Sequence, residues 1–143
     1  MTTTAVGPRR PATALTRGGA VLVALRAWSL LVAVRVGLFR HPLPELVARL
    51  SSPGRPSDHR VAPARLGHLV GRVLRIGPWR PRCLFGALVL YRLLRRQGDT
   101  VQLVIGLPES ASGQDAHAWV EWEGTDVGPP PGGRRHVELA RFG

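Results

Sequence analysis

The residues of this sequence best suited to chemistry are its only cysteine, Cys83, and a later histidine, His117. Cys83 lies in the segment GPWRPRCLFGALVLYRLLRRQG, where Pro78 and Pro81 favour extended backbone just before an apolar run. Apolar side chains then recur at three- and four-residue intervals, and Gly98 follows the run where a left-handed cap is needed. The pattern predicts a helix from about 83 to 97 that begins at the cysteine.

A sulfur atom at the start of a helix lies where unpaired backbone amides and the helix dipole favour negative charge. Arg80 and Arg82 add cations nearby, so the sequence predicts a thiol that ionises readily. The alternative is that Cys83 is a small apolar side chain packed under Trp79, the usual role of a lone buried cysteine.

His117 lies in DAHAWVEWEG, where the alternation is typical of a half-buried strand. One face carries His117, Trp119 and Glu121, and the other carries Ala116, Ala118, Val120 and Trp122. Alanines on both sides of the histidine let the strand pack closely while the imidazole projects from the opposite face. A lone strand histidine is more often structural. Together with the cysteine it forms a candidate nucleophile and base pair.

These segments carry a resemblance to a known family. The runs CLFGALVLYRLLRRQG, VQLVIGLPES and DAHAWVEWEG resemble the leader-cleaving cysteine proteases of lasso-peptide biosynthesis, a branch of the transglutaminase-like, papain-related superfamily. The resemblance is strongest from Trp79 to Gly128 and extends weakly back to about Arg26. It rests on the order and spacing of three motifs.

The resemblance implies a protease that removes the leader from a ribosomally made precursor so that a separate cyclase can close the macrolactam. By the same resemblance, Cys83 attacks and His117 deprotonates it. The implied partners are the precursor peptide with its leader, a small PqqD-like leader-recognition protein and an asparagine-synthetase-like cyclase. No cofactor and no metal are implied, and the sequence has no cluster of metal ligands.

The third catalytic residue is unassigned. The family places an orienting carboxylate after the histidine, but the corresponding position falls in the Pro129–Pro130 pair. Glu123–Gly124 predicts a two-residue hairpin that sets Glu121 opposite Asp126 and Val120 opposite Val127, with His117 facing the prolines. Asp126 would then stand roughly 13 Å from His117 along the strand, and Asp115 about 7 Å away on the same face. Asp126 and Asp115 are both candidates, and a proline carbonyl could also accept the ring N–H.

Length and composition predict one domain. The sequence has 143 residues, a length typical of one domain. Residues 1–18 form a Thr-, Pro- and Arg-rich tail that we expect to be disordered, and residues 19–143 form a single domain. Residues 19–76 are its helical part, and residues 77–143 hold the cysteine helix and the sheet. One cysteine gives no internal disulfide, and Arg26 interrupts the only apolar run near the start, so we expect a cytoplasmic protein without a signal peptide.

The segment from Ala20 to Phe39 has the length and apolar character of a membrane span. Arg26 and Arg35 lie on opposite sides of such a helix, and we therefore predict a core helix and no membrane span. Leu43 to Leu50 and Pro63 to Ile76 predict two more helices, whereas Val101 to Leu107 predicts a buried strand. The order of elements predicts an α+β fold of N-terminal helices, a central cysteine-bearing helix and a small antiparallel sheet, as in transglutaminase-like and papain-like domains.

Charge is divided unevenly along the chain. All twenty basic residues are arginine, and residues 1–82 carry a net charge of +12 whereas residues 83–143 carry −1. The basic half could dock a leader peptide, a partner protein, nucleic acid or an acidic membrane surface. Two alternatives to the peptidase therefore stand: a transglutaminase-like acyltransferase using the same Cys83 and His117, and a non-enzymatic basic binding module for nucleic acid or an acidic partner.

Overall fold

The computed structural model describes residues 12, 14–54, 60–76, 83–109, 116–129 and 136–143. These residues form four helices and four strands. The helices are α1 (Arg17–Arg40), α2 (Leu43–Leu50), α3 (Pro63–Val73) and α4 (Cys83–Arg96). The strands are β1 (Val101–Pro108), β2 (His117–Trp122), β3 (Thr125–Gly128) and β4 (His136–Phe142). The predicted α+β class, with helices first and a small antiparallel sheet after them, is confirmed.

Helices α2, α3 and α4 begin at the predicted residues, whereas α1 begins before the predicted Ala20 and α3 ends at Val73, before the predicted Ile76. The Thr16 side chain accepts from the backbone N–H of Gly19 at 3.1 Å, so α1 begins at Arg17 and overlaps the last two positions assigned to the tail. Pro residues stand in the first turn of α2 and of α3. At the end of α4 the backbone N–H of Asp99 donates to the Leu94 carbonyl at 3.0 Å, and Gly98 takes a φ of 93°.

The core lies between α4 and one face of the sheet. Helix α4 contacts α1, α2 and α3 on one side and β1 and β2 on the other. Its fully buried side chains include Leu88, Leu90, Tyr91 and Leu94. Burying each apolar side chain of this size stabilises the fold by about 1.5–3 kcal/mol, so α4 is the element around which the others pack.

The sheet has the strand order β3-β2-β1-β4, and every described pair of neighbours is antiparallel. The end segment of the chain, whose element type no sequence pattern indicates, is the edge strand β4 paired with β1. The face toward α4 contributes Leu103, Ala118 and Val120 to the core. Trp119 is buried on the opposite face of the sheet. It packs against Gly106, since a Cβ added to that glycine would lie 2.9 Å from the Trp119 ring.

The β2–β3 hairpin corrects the predicted register. Glu123 and Gly124 both have positive φ, 51° and 76°, as a two-residue hairpin of this type requires. Glu121 pairs with Asp126 as predicted, but Val120 pairs with Gly128 and not with Val127. A β-bulge at this point inserts one extra residue into β3. The Asp126 side chain accepts from the Gly128 backbone N–H at 2.8 Å, which gives the bulge a local hydrogen bond.

Candidate active site

Cys83 is the first residue of α4 and is partly exposed. Its Sγ donates to the backbone carbonyl of Ala116, at 3.5 Å. The first four backbone N–H groups of a helix have no partner within the helix, so the sulfur stands beside donors suited to an oxyanion. Trp79, Arg80 and Arg82, which the sequence places before the cysteine, lie outside the described residues.

His117 is the first residue of β2 and is half-buried. It pairs across the sheet with Gly106 of β1. Its ring stacks on the ring of Trp119, with the centroids 5.9 Å apart and the planes inclined by 19°. The two rings meet because residues i and i+2 of a strand share a face, as the alternation in the sequence predicts.

The fold brings the cysteine to the start of the histidine strand. Ala116, whose carbonyl contacts the Cys83 sulfur, is the residue directly before His117. The cysteine end of α4 and the first residue of β2 therefore meet at one end of the helix and sheet layers. Pro129 lies at the same end, since a Cβ added to Gly86, one turn after the cysteine, would be 3.2 Å from the proline ring.

Asp126 does not stand beside His117. It pairs with Glu121, four residues along β2 from the histidine and so about 13 Å away at the usual rise of a strand. The bulge follows Asp126 in β3 and does not change this pairing. Asp115 and Pro130 lie outside the described residues, so Asp115 stays a prediction.

A hydrogen-bonded network on the outer face of the sheet continues from Trp119. The indole N–H donates to Glu121 Oε1 at 3.0 Å, and Arg141 Nη1 of β4 donates to Glu121 Oε2 at 2.8 Å. Arg141 also donates twice to Glu138, at 2.8 and 2.9 Å, and these bonds lower the pKa of that carboxyl. The sequence places Trp119 and Glu121 on the face of His117 but does not reveal Arg141, because its contribution depends on how β4 pairs.

No group of three His, Cys, Asp or Glu side chains among the described residues is arranged to hold a metal ion. The candidate reactive groups are a thiol at the start of a helix and an imidazole at the start of a strand. An aromatic ring stacks on that imidazole.

Comparison with known families agrees with this arrangement. A family model described as the transglutaminase-like superfamily matches residues 20–139, from α1 into β4, and so includes both Cys83 and His117. No curated protein and no solved structure gives a significant match.

Proposed function

The chain belongs to the transglutaminase-like superfamily, and we propose that it is a cysteine peptidase that removes the leader from a ribosomally made lasso-peptide precursor. The superfamily includes cysteine peptidases and acyltransferases, so thiol-based acyl transfer is the common chemistry. The choice of peptidase and of substrate rests on the resemblance of the segments around Cys83, Val101 and His117.

One observation carries the assignment of the two reactive groups. The Cys83 sulfur lies 3.5 Å from the carbonyl of the residue that precedes His117. A nucleophile and its base must come from positions that the fold brings together. Here they stand 34 residues apart in sequence, at the starts of α4 and β2, and the contact joins those two starts.

The proposed reaction uses these two positions. His117 takes the thiol proton, and the Cys83 sulfur attacks the carbonyl carbon at the leader junction to give a tetrahedral oxyanion. Backbone N–H groups in the first turn of α4 stabilise that oxyanion. The imidazolium then protonates the leaving amine as the C–N bond breaks, which leaves a thioester on Cys83. Water, deprotonated by His117, hydrolyses the thioester and restores the thiol.

The orientation of His117 in this mechanism comes from its own strand. Trp119 stacks on one face of the imidazole ring. Asp115, two residues before the histidine, is the candidate acceptor of a hydrogen bond from the ring N–H. Asp126 is a weaker candidate because its carboxylate stands level with Glu121.

The proposed partners are the precursor peptide, a PqqD-like leader-recognition protein and an asparagine-synthetase-like cyclase, acting in the cytoplasm, where a catalytic thiol stays reduced. The N-terminal half, with its net charge of +12, is the proposed docking region for an acidic peptide or partner.

The test is leader removal by Cys83→Ala and His117→Ala. Purified protein, precursor and recognition protein are mixed, and the released leader is measured by mass spectrometry. Both variants are expected to lose processing while keeping the circular dichroism spectrum of the wild type. His68→Ala is the matched control, because His68 is an exposed histidine of α3. Normal processing by folded Cys83→Ala protein would exclude the peptidase and would favour the binding module.

The acyltransferase alternative is separated in the same assay. A small primary amine is added in excess, and the mass of the leader fragment is determined. Hydrolysis leaves a carboxylate at the new end of that fragment, whereas transfer to the amine leaves an amide. We expect the carboxylate product. A dominant amide product would assign the chain to the acyltransferases with Cys83 in the same role.

A further inference from the structure

Helix α1 carries an exposed apolar stripe. Among the described residues, six of the nine large hydrophobic side chains most open to solvent belong to this one helix. They are Val21, Leu22, Leu25, Val32, Val36 and Phe39, with exposed fractions from 44% to 89%. We call these six residues the α1 stripe. Scattered exposed hydrophobic residues are normal, but a continuous run along one helix indicates a binding surface.

The stripe is separate from the side of α1 that packs in the core. The buried residues of the helix are Ala27, Leu30, Leu31 and Val34. At about 100° per residue these four positions point in one direction and the stripe points in the opposite one. Helix α1 is therefore apolar on two sides, and only one of them is covered by α2, α3 and α4. By length and composition it is also the one described helix that could cross a membrane.

Arginines form both borders of the stripe. Arg26 and Arg40 lie along one border and Arg17 and Arg35 along the other, by the same helical geometry. No acidic residue occurs between Arg17 and Arg40, and neither Arg26 nor Arg40 pairs with an acid in the described structure. The surface is thus an aliphatic strip between two rows of positive charge, which is the arrangement of helices that lie in a membrane interface.

We propose that the α1 stripe binds the surface of an anionic lipid bilayer, with the helix parallel to the membrane plane. The six apolar side chains enter the boundary of the acyl chains, and the flanking guanidinium groups reach lipid phosphates. A second copy of this chain fits less well, because two α1 helices face to face would bring arginine rows against each other without an acid to pair them. An acidic protein partner would need a groove matching a convex helix, whereas a bilayer adapts to it.

This orientation has a consequence for the active site. The guanidinium of Arg35 lies over the ring of Phe85, 5.8 Å from its centroid. Phe85 belongs to the first turn of α4, two residues after Cys83. The C-terminal part of α1 is therefore next to the cysteine end of α4. A molecule bound through α1 would hold that end within about one helix diameter, roughly 10 Å, of the membrane surface.

The test is binding of the full chain to lipid vesicles, measured by co-sedimentation. Vesicles of phosphatidylcholine alone are compared with vesicles that also contain phosphatidylglycerol. We expect binding to the anionic vesicles, weakened by added salt. The double variant Leu25→Gln, Val32→Gln should reduce the affinity for anionic vesicles about ten-fold or more. The double variant Arg26→Gln, Arg40→Gln should reduce that affinity about 30-fold at low salt. The matched control is Ile76→Gln with Leu139→Gln, which alters residues 70% and 59% exposed outside α1.

Each other outcome overturns the proposal. The proposal is wrong if the wild type stays in the supernatant with both vesicle types, or if the Leu25 and Val32 variant binds as well as the control. If the wild type sediments as a dimer and the variants substituted in the α1 stripe sediment as monomers, the stripe serves self-association instead. Thermal unfolding of each variant verifies that the fold is retained, as expected for exposed positions. These measurements do not involve peptide cleavage, so they test membrane binding independently of the proposed peptidase activity.

Discussion

At the scale of single residues, the candidate base is supported by a side chain of its own strand. The ring of His117 rests on Trp119, and Trp119 is held by its hydrogen bond to Glu121 and by the close approach of Gly106. In the proposed mechanism, Trp119 is therefore a positioning residue that acts through His117 and not on the substrate.

This role predicts a difference between two substitutions of Trp119. Trp119→Leu removes the ring and should lower kcat roughly 100-fold with little change in KM, because a small displacement of a catalytic group has a large effect on rate. Trp119→Phe keeps an aromatic face and should lose much less. Trp122→Phe, a change on the opposite face of β2, is the control. Steady-state kinetics on the precursor distinguishes these outcomes, and the rate of Cys83 alkylation by iodoacetamide gives a measurement that needs no substrate. Equal losses of kcat in all three variants would contradict the positioning role of Trp119.

Asp126 gives a second prediction at this scale. Its carboxylate accepts from the Gly128 backbone N–H, and an asparagine oxygen can accept the same bond. Asp126→Asn should therefore keep both stability and leader cleavage. Asp126→Ala should lower the free energy of unfolding by about 1 kcal/mol, because the N–H loses its acceptor. Urea denaturation and the cleavage assay measure the two effects. A loss near ~10⁴ in turnover for Asp126→Asn alone would show that Asp126 orients the base.

At the scale of elements, the close contact of α3 with β3 fixes one edge of the sheet. Gly67 of α3 has no side chain where the helix meets the carbonyl oxygen of Val127. Because β3 carries the bulge and leads into Pro129, which packs on α4 near Cys83, this contact also holds one side of the candidate active site.

Gly67→Ala should therefore be strongly destabilising. The new Cβ would overlap the Val127 carbonyl oxygen, which requires a backbone shift, and we expect the free energy of unfolding to fall by about 3 kcal/mol or more. Gly18→Ala is the matched control, since nothing lies within 4 Å of its added Cβ in α1, and it should be neutral or stabilising by up to about 1 kcal/mol. Thermal and urea unfolding of both variants provide the measurement. If Gly67→Ala unfolds like the wild type, α3 does not pack on β3 in this way.

At the scale of the whole molecule, the arginines divide into structural and surface groups. Arg92 and Arg95 of α4 donate to the carbonyls of Leu50, Ser51 and Ser52 at the end of α2, where a helix leaves such groups unpaired. Arg60 forms a salt bridge with Asp99, which is only 4% exposed, and ties the residues before α3 to the end of α4. Arg26 and Arg40, which lie beside the α1 stripe, have no comparable internal role in the described structure, whereas Arg35 contacts the ring of Phe85.

The sequence alone determined the features that depend on neighbouring residues. The starts of α2, α3 and α4, the Glu123–Gly124 turn, the two faces of β2 and the position of Cys83 at a helix start all follow from spacing, prolines and glycines within a few residues. The α+β class followed from the order of these elements. The family follows from the match over residues 20–139, which the resemblance of three short motifs anticipated at the level of the superfamily.

Only the tertiary structure decided the features that depend on contacts between distant segments. The contact of the Cys83 sulfur with Ala116, the pairing of β4 with β1, the Arg141 network and the bulge opposite Val120 each join residues whose partners no local pattern specifies. Similarly, the sequence shows that α1 is apolar on two sides, but only packing decides which side is buried. Local propensities act within one turn or strand, whereas register and burial are set by the cooperative packing of the whole chain.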